Sequence, residues 1–428
     1  MLDPPVKHSV LIGSFVAFQL LGAILIQLFL IRELGVGPET DVFVASQALP
    51  MVAGAILLAA LQSVWLPRLS ISVSDKPLFK VDLAIAQGQA LWLSGTAVAI
   101  LGVTSFWWIP FIFPTLSDQQ LVHAKWFTLF FLVATSINCL AAVLVFALRA
   151  QHRFLLPEMI ASAVTLLGLL SATILIPAYG LVAGVGIILF RSVLTYIALL
   201  YVCQWPAASG RKALRERAAW IGMRPVLSGA LVYKASPLVD RYFASQSTAG
   251  GLTLFNLAMA AMGGASVVLE RALCSPKAPL MASFVSRGDF VGARSLYRRG
   301  MLQIGILSLM TLTLLLAAQQ PFQWISEIVL QIDASTSHQL WLFLLILTGY
   351  FFASAVGVLP VSLFHSMHNT WAPSRIGAIG VAVSIALKFF AFLQYGLFGL
   401  LLAISFHYLL TAVIMCFAVE RCIHARIS

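Results

Sequence analysis

The sequence predicts an all-α polytopic membrane protein of about twelve transmembrane helices arranged as two six-helix bundles. Three observations carry that expectation. Of 428 residues, 61% are hydrophobic and only 10% are charged, against about a quarter charged in an ordinary soluble domain. Mean hydropathy is +0.97, so the chain is too poor in charge to clothe a water-exposed globule and must be solvated by lipid. Apolar runs of about 20 residues, the length of a helix across the hydrocarbon, recur throughout. The second half also echoes the first at a fixed offset.

The first half yields spans at about 9–31, 42–66, 83–109, 121–148, 158–178 and 181–204. The second yields about 226–245, 251–276, 298–320, 338–366, 374–394 and 397–420. These runs lack the alternation of a membrane β-barrel strand, so helices are expected. The first run has no small-residue cleavage site and reads as an anchor. Residues 1–205 form the first bundle and 226–428 the second. Between them, 206–225 is a basic linker whose stretch Arg211–Trp220 is amphipathic and suited to lying on the inner leaflet.

The formal charge is +11, and its distribution gives the orientation. Lys7, Arg68, Lys76, Lys80, Arg149, Arg153, the run Arg211 to Arg224, Lys277, Arg287, Arg294, Arg298, Arg299, Arg375, Arg421 and Arg426 fall on one side. Arg32, Lys125 and Arg241 fall on the other. The positive-inside rule places both termini in the cytoplasm. It also explains the basic balance without nucleic acid. The five cysteines are scattered and form no C-x-x-C pair, so neither zinc nor a disulfide framework is indicated. Walker A, H-E-x-x-H, G-x-S-x-G and paired-carboxylate patterns are absent. No cofactor and no enzymatic chemistry are expected.

At an offset of 216, His152 meets His368, Pro157 meets Pro373, and Tyr179-Gly180-Leu181 meets Tyr395-Gly396-Leu397. Ile188 and Phe190 match Ile404 and Phe406. Six helices per unit is an even number, so the repeats are parallel. Parallel repeats occur in transporters that rock two bundles around a central site.

Several motifs resemble one exporter family. Arg32-Glu-Leu-Gly35-Val-Gly37-Pro-Glu-Thr-Asp41-Val-Phe43-Val-Ala45, then Leu49-Pro50, resembles its glycine turn followed by D-A-F-x-V-A and a proline. Leu238-Val-Asp240-Arg241-Tyr-Phe-Ala244-Ser245 stands in the seventh span. Pro67-Arg-Leu-Ser70, Pro279-Leu280-Met-Ala-Ser283 and Gly288-Asp289 look like its P-x-L-S and G-D elements. The chain thus resembles the lipid II flippase (MurJ, mouse-virulence-factor) branch of the multidrug/oligosaccharidyl-lipid/polysaccharide exporter superfamily. The resemblance implies a V-shaped fold in the bacterial inner membrane. It also implies alternating-access flipping of an undecaprenyl-linked saccharide, a precursor of peptidoglycan or polysaccharide. The family commonly has fourteen helices where twelve are read here. It also places arginines in its first, second and eighth helices, whereas no Lys or Arg lies between Lys7 and Arg32, Arg32 and Arg68, or Arg241 and Arg271. Gln19 and Gln27 are the strongly polar side chains of the first span.

Ionisable residues inside spans are expensive toward lipid and mark pathways or partners. Lys234, Arg191 and Lys388 are candidate cavity cations for a pyrophosphate or acidic sugar, with Asp240 read as their sole intramembrane acidic neighbour. Lys388 has a second reading, snorkelling toward its inner end. His407 stands at the repeat position of Arg191. Arg32 with Asp41, and Asp240 with Arg241, are gate or cap candidates, and Asp41 also suits the N-cap of the second helix. His152 and His368 are read as structural. The expected partners are the lipid-linked saccharide, membrane lipids, and a coupling ion or the membrane potential. Two alternatives stand beside this reading. A cation-coupled multidrug exporter of the same superfamily calls for an acidic cavity. A membrane glycosyltransferase or polymer ligase calls for catalytic acids or a large outer loop.

The charge asymmetry generates a topology test. A single cysteine placed at Ser209 should react with a permeant thiol reagent and resist an impermeant one added to intact cells. Labelling from outside would invert the whole arrangement.

Overall fold

The computed structural model describes residues 4–204, 210–234, 236–274, 277–367, 369 and 371–427. Its elements, all helical, run α1 (Pro4–Leu34), α2 (Pro38–Ser72), α3 (Lys76–Ile112), α4 (Asp118–Ala150), α5 (Leu155–Val202), α6 (Gly210–Arg215), α7 (Arg217–Lys234), α8 (Ser236–Ser245) and α9 (Gly251–Leu269). A π turn at Glu270–Cys274 leads to α10 (Lys277–Ser286), α11 (Phe290–Ala317), α12 (Gln319–Leu330), α13 (Ala334–Ile346), α14 (Thr348–Ser366) and α15 (Trp371–Ile427). Among the described residues, nine helical stretches are long and apolar enough to cross a membrane. They expose large apolar side chains, including Trp107, Phe111, Ile174, Leu314 and Phe390, as a lipid solvent favours. This is a multi-pass membrane protein.

Two of the nine are too long for one crossing. α5 has 48 residues and α15 has 57, about 70 and 85 Å if straight, while the hydrocarbon is about 30 Å thick. Both reverse at a glycine. Gly180 has φ 54°, ψ −131° and Gly396 has φ 56°, ψ −137°, the conformation of the first central residue of a type II′ turn. The arms then lie together. Arg191 Nη2 donates to Thr165 Oγ1 at 2.9 Å, although 26 residues would separate them by about 39 Å along an unbroken helix. These are the tight turns expected at 178–181 and 394–397. Tyr179 and Tyr395 beside them are 67% and 71% exposed, which suits aromatic rings at a membrane interface.

The helix starts recur with nearly the same spacing. Asp75 caps α3 by accepting from Leu78 N, and Asp289, 214 positions on, caps α11 by accepting from Gly292 N. Ser117 caps α4 by accepting from Gln120 N, and Asp333, 216 positions on, caps α13 by accepting from Thr336 N. Hydrogen bonds from Ser335 and Thr336 push the Asp333 carboxyl down to about 2.

Side chains also complete broken rungs of the helix ladder. Pro50 has no N–H to give the Ser46 carbonyl, and Thr128 Oγ1 from α4 donates to it at 3.2 Å. At the break between α13 and α14, Ser405 Oγ donates to Ile346 O at 2.8 Å and accepts from Tyr350 N at 3.3 Å. The serine hydroxyl thus occupies a place where one i→i−4 bond would close, a recognised cause of a kink.

The chain forms two compact units, Ser14–Thr253 and Leu254–Ser428 with Met1–Gly13. The core of the first includes Leu61, Trp65, Leu69, Leu144, Leu148 and Met223. That of the second includes Met281, Tyr297, Ile304, Leu359, Leu363 and Val419. The linker expected at 206–225 is not one surface-lying helix. α6 ends at Arg215, and α7 runs from Arg217 through Pro225 into the seventh apolar segment. Burial of Ala219 and Met223 and the bond from Trp220 Nε1 to Ala213 O at 3.1 Å draw this stretch into the core. His368 lies outside the described residues.

The paired turns make a direct prediction. A Cβ on Gly396 would meet nothing within 4 Å, so Gly396→Ala isolates backbone strain from steric clash. The substitution should cost about 1–3 kcal/mol, read as a lowered unfolding midpoint in detergent with insertion retained. An unchanged midpoint would contradict the reversed turn.

Candidate functional site

The ionisable residues inside the spans fall into three environments. The first lies within the two hairpins. In α5, Arg191 from the second arm folds over Gly168 of the first, where a Cβ would come within 2.5 Å of Arg191 Cδ. The absence of a side chain there is what lets the guanidinium reach Thr165. In α15, a Cβ on Gly380 would lie 3.2 Å from His407 Cε1. His407 and Arg191 thus hold the same repeat position, and each lies against a glycine of the facing arm, although Gly380 stands one turn away from the repeat equivalent of Gly168. Lys388 is 0% exposed and lies within electrostatic reach of His407. Its burial overturns the snorkelling reading, because the ammonium does not reach a surface.

The second environment surrounds the start of α9. Asp41 Oδ2 accepts from Gly250 N at 2.7 Å, and its Oδ1 accepts from Thr253 N at 2.8 Å and Thr253 Oγ1 at 2.6 Å. A carboxylate at a helix N-terminus satisfies otherwise orphaned donors and meets the positive end of the dipole. Gly250 permits the contact with φ 85°, and a Cβ there would meet Val36 Cγ1 at 2.5 Å. Asp41 therefore caps α9, not its own helix. At the start of α2 the local role passes to Thr40, whose Oγ1 accepts from Gly37 N at 3.1 Å. Arg32 is exposed and is not the ion-pair partner of Asp41. Asp240 and Arg241 are both buried and interact electrostatically. Arg241 Nη1 also donates to Ala48 O at 3.4 Å.

The third environment comprises acids that the sequence reading passed over. Arg68 bridges Asp82 at 2.8 Å and Glu216 at 2.7 Å. Arg149 pairs with Glu158 at 3.2 Å, and Gln19 Nε2 donates to the Glu158 carbonyl at 3.1 Å and to Ser162 Oγ at 3.2 Å. Glu420 takes Arg294 at 2.7 Å and Arg298 at 2.8 Å. These acids are paired with arginines other than the three candidate cations. The signal for Glu158 was its place in the first turn of a helix, where carboxylates are favoured. Its partner Arg149 sits across the connection from α4 to α5, beyond the reach of helix periodicity.

Of the three candidate cations, Lys234 is exposed, Arg191 is half-buried and Lys388 is buried. Among the described residues, no group of three or more His, Cys, Asp or Glu side chains is placed to hold a metal ion.

No family model matches the sequence, and no curated protein matches it. Solved structures do match the fold. The lipid II flippase MurJ, in an inward closed conformation, superposes with a TM-score of 0.80 at 15% identity, over 96% of this chain and 87% of that one. An inward-facing multidrug resistance MATE family transporter of the MOP superfamily gives 0.77 at 15% identity, over 98% of both chains. A MOP superfamily transporter from Pyrococcus furiosus, described as having a binding pocket of reverse polarity, gives 0.63 at 14% identity, over 99% and 97%. The chain has the fold that these MOP superfamily transporters share.

Proposed function

We propose that the protein is an alternating-access transporter that flips an undecaprenyl-linked saccharide, a peptidoglycan or polysaccharide precursor, across the bacterial inner membrane. In this reading the bilayer is crossed twelve times. α1 to α4 and the two arms of α5 make six crossings. The α7–α8 pair, α9, α11, the α13–α14 pair and the two arms of α15 make the other six, with both termini cytoplasmic. The resemblance to the MurJ family in the sequence supports the lipid-linked cargo; the fold is shared with a multidrug MATE transporter at a similar TM-score.

One observation carries the choice of an anionic cargo over a cationic drug. Among the described residues the buried acids are already engaged, Asp41 by Gly250 and Thr253, Asp82 by Arg68, Glu158 by Arg149 and Asp240 beside Arg241, whereas Glu33, Glu39 and Glu327 are exposed toward helix ends and Glu270 is half-buried. Lys234, in contrast, presents its ammonium on an exposed face. An exporter of cationic drugs calls for an accessible carboxylate. A pyrophosphate calls for an accessible cation, with which it forms charge-assisted bonds. Arg191 and Lys388 are the supporting cations, and Arg32, Asp41, Asp240 and Arg241 serve the ends of the spans. The energy comes from an ion gradient or the membrane potential, since the sequence has no Walker A motif.

Lys234 is the residue on which this reading is most exposed. Lys234→Met keeps the apolar stem and removes the charge, so insertion should persist while export falls at least tenfold. Lys234→Arg should retain part of the activity. Complementation of a strain lacking its own flippase, at matched expression, measures both. Full activity of Lys234→Met would remove the cation from the mechanism.

A further inference from the structure

A cavity of about 850 Å³ opens at the end of the first unit where α2 meets α3, α4 meets α5 and α5 leads to α6. Its wall carries Lys76, Lys80, Arg153 and Lys212, while Phe79 and Leu83 contribute apolar surface. Among the described residues, no carboxylate lines it. The acids closest in sequence face other partners: Asp75 caps α3, and Asp82 and Glu216 are held by Arg68. The positive field of the cavity is therefore not neutralised by its own wall.

The helix that carries the fourth cation is anchored through the neighbouring residue. Lys212 lies on α6, whose Ala213 is fully buried. The Ala213 carbonyl accepts from Gln89 Nε2 at 3.1 Å and from Trp220 Nε1 at 3.1 Å. Gln89 in turn accepts from Trp65 Nε1 at 3.1 Å. This buried chain of hydrogen bonds fixes a short basic helix beside three cations from the neighbouring connections. A basic wall with an apolar floor, at the end of a helix bundle, matches the two-part chemistry of a lipid headgroup and its upper acyl chain. A volume of this size also falls in the range of small-molecule sites.

We propose that this cavity binds the headgroup of an acidic phospholipid from the adjoining leaflet, independently of what the protein transports. Lys76, Lys80, Arg153 and Lys212 would contact the phosphate, and Phe79 and Leu83 the first part of the acyl chain. Free phosphate shares the headgroup chemistry but gains nothing from the apolar floor.

The test uses the full chain in detergent, mixed with equal amounts of phosphatidylglycerol and phosphatidylcholine and analysed by native mass spectrometry. The wild type should retain phosphatidylglycerol at least tenfold over phosphatidylcholine, and 10 mM inorganic phosphate should fail to displace it. Each cation contributes about fivefold near an anionic surface. Lys80→Gln with Arg153→Gln should therefore cut retention more than tenfold, and Lys76→Gln with Lys212→Gln should do the same. Lys125→Gln, whose ammonium lies over Phe106, should change nothing. All five positions are exposed or half-buried, so folding is checked by an unchanged melting point. Equal retention of the two lipids, an unaffected pair of double variants, or displacement by phosphate would each overturn the proposal.

Discussion

Inside hydrocarbon a polar group finds no water, so each one must be satisfied by the protein itself. Much of this structure answers that constraint. Proline strips an N–H from α2, and a threonine on α4 supplies the missing donor. A serine hydroxyl stands in the open rung between α13 and α14. Indole N–H groups follow the same rule: Trp108 donates to Leu101 O within α3, while Trp65 donates to Gln89 and Trp341 to Leu315 O across helices. Such interhelical bonds in membranes are individually modest, about 0.6 kcal/mol on average. Their cumulative effect is to fix which helix faces which.

Charge follows the same logic with larger stakes. The arginines at helix ends meet carboxylates: Arg68 with Asp82 and Glu216, Arg149 with Glu158, and Arg294 and Arg298 with Glu420. Asp41 is satisfied by the start of a helix more than 200 residues away in sequence. Once these pairs are drawn, the ionisable groups left facing outward are mainly cationic: Lys234 in the seventh span and the four basic residues around the cavity of the first unit. The functional reading rests on that asymmetry. A fold shared by flippases and drug exporters does not choose between them, since function resides in the site a fold carries.

Much of this architecture was legible in the sequence. Apolar runs of spanning length became helices, because a bilayer leaves little alternative. Tyr179-Gly180 and Tyr395-Gly396 marked both hairpin turns, because a type II′ turn calls for glycine. The repeat was read from seven matching residues, yet its structural evidence lies in the caps at Asp75 and Asp289 and at Ser117 and Asp333. Composition could not expose these, since Ser and Asp differ as letters while both accept a backbone N–H. Partners distant in sequence stayed hidden. Periodicity gave no sign that Asp41 would cap α9, or that the linker would continue into α7. The snorkelling alternative for Lys388 failed because depth along a helix says nothing about which face of that helix is covered.

The central claim is that the cargo is an anionic lipid-linked saccharide. It is tested most directly in liposomes containing the full chain and a fluorescent undecaprenyl-pyrophosphate saccharide, with a membrane-impermeant quencher added outside. The account predicts that an imposed ion gradient or membrane potential redistributes the saccharide between leaflets, and that a cationic dye is not moved under the same conditions. Movement of the dye with a stationary saccharide would contradict it and assign the protein to cationic drug export.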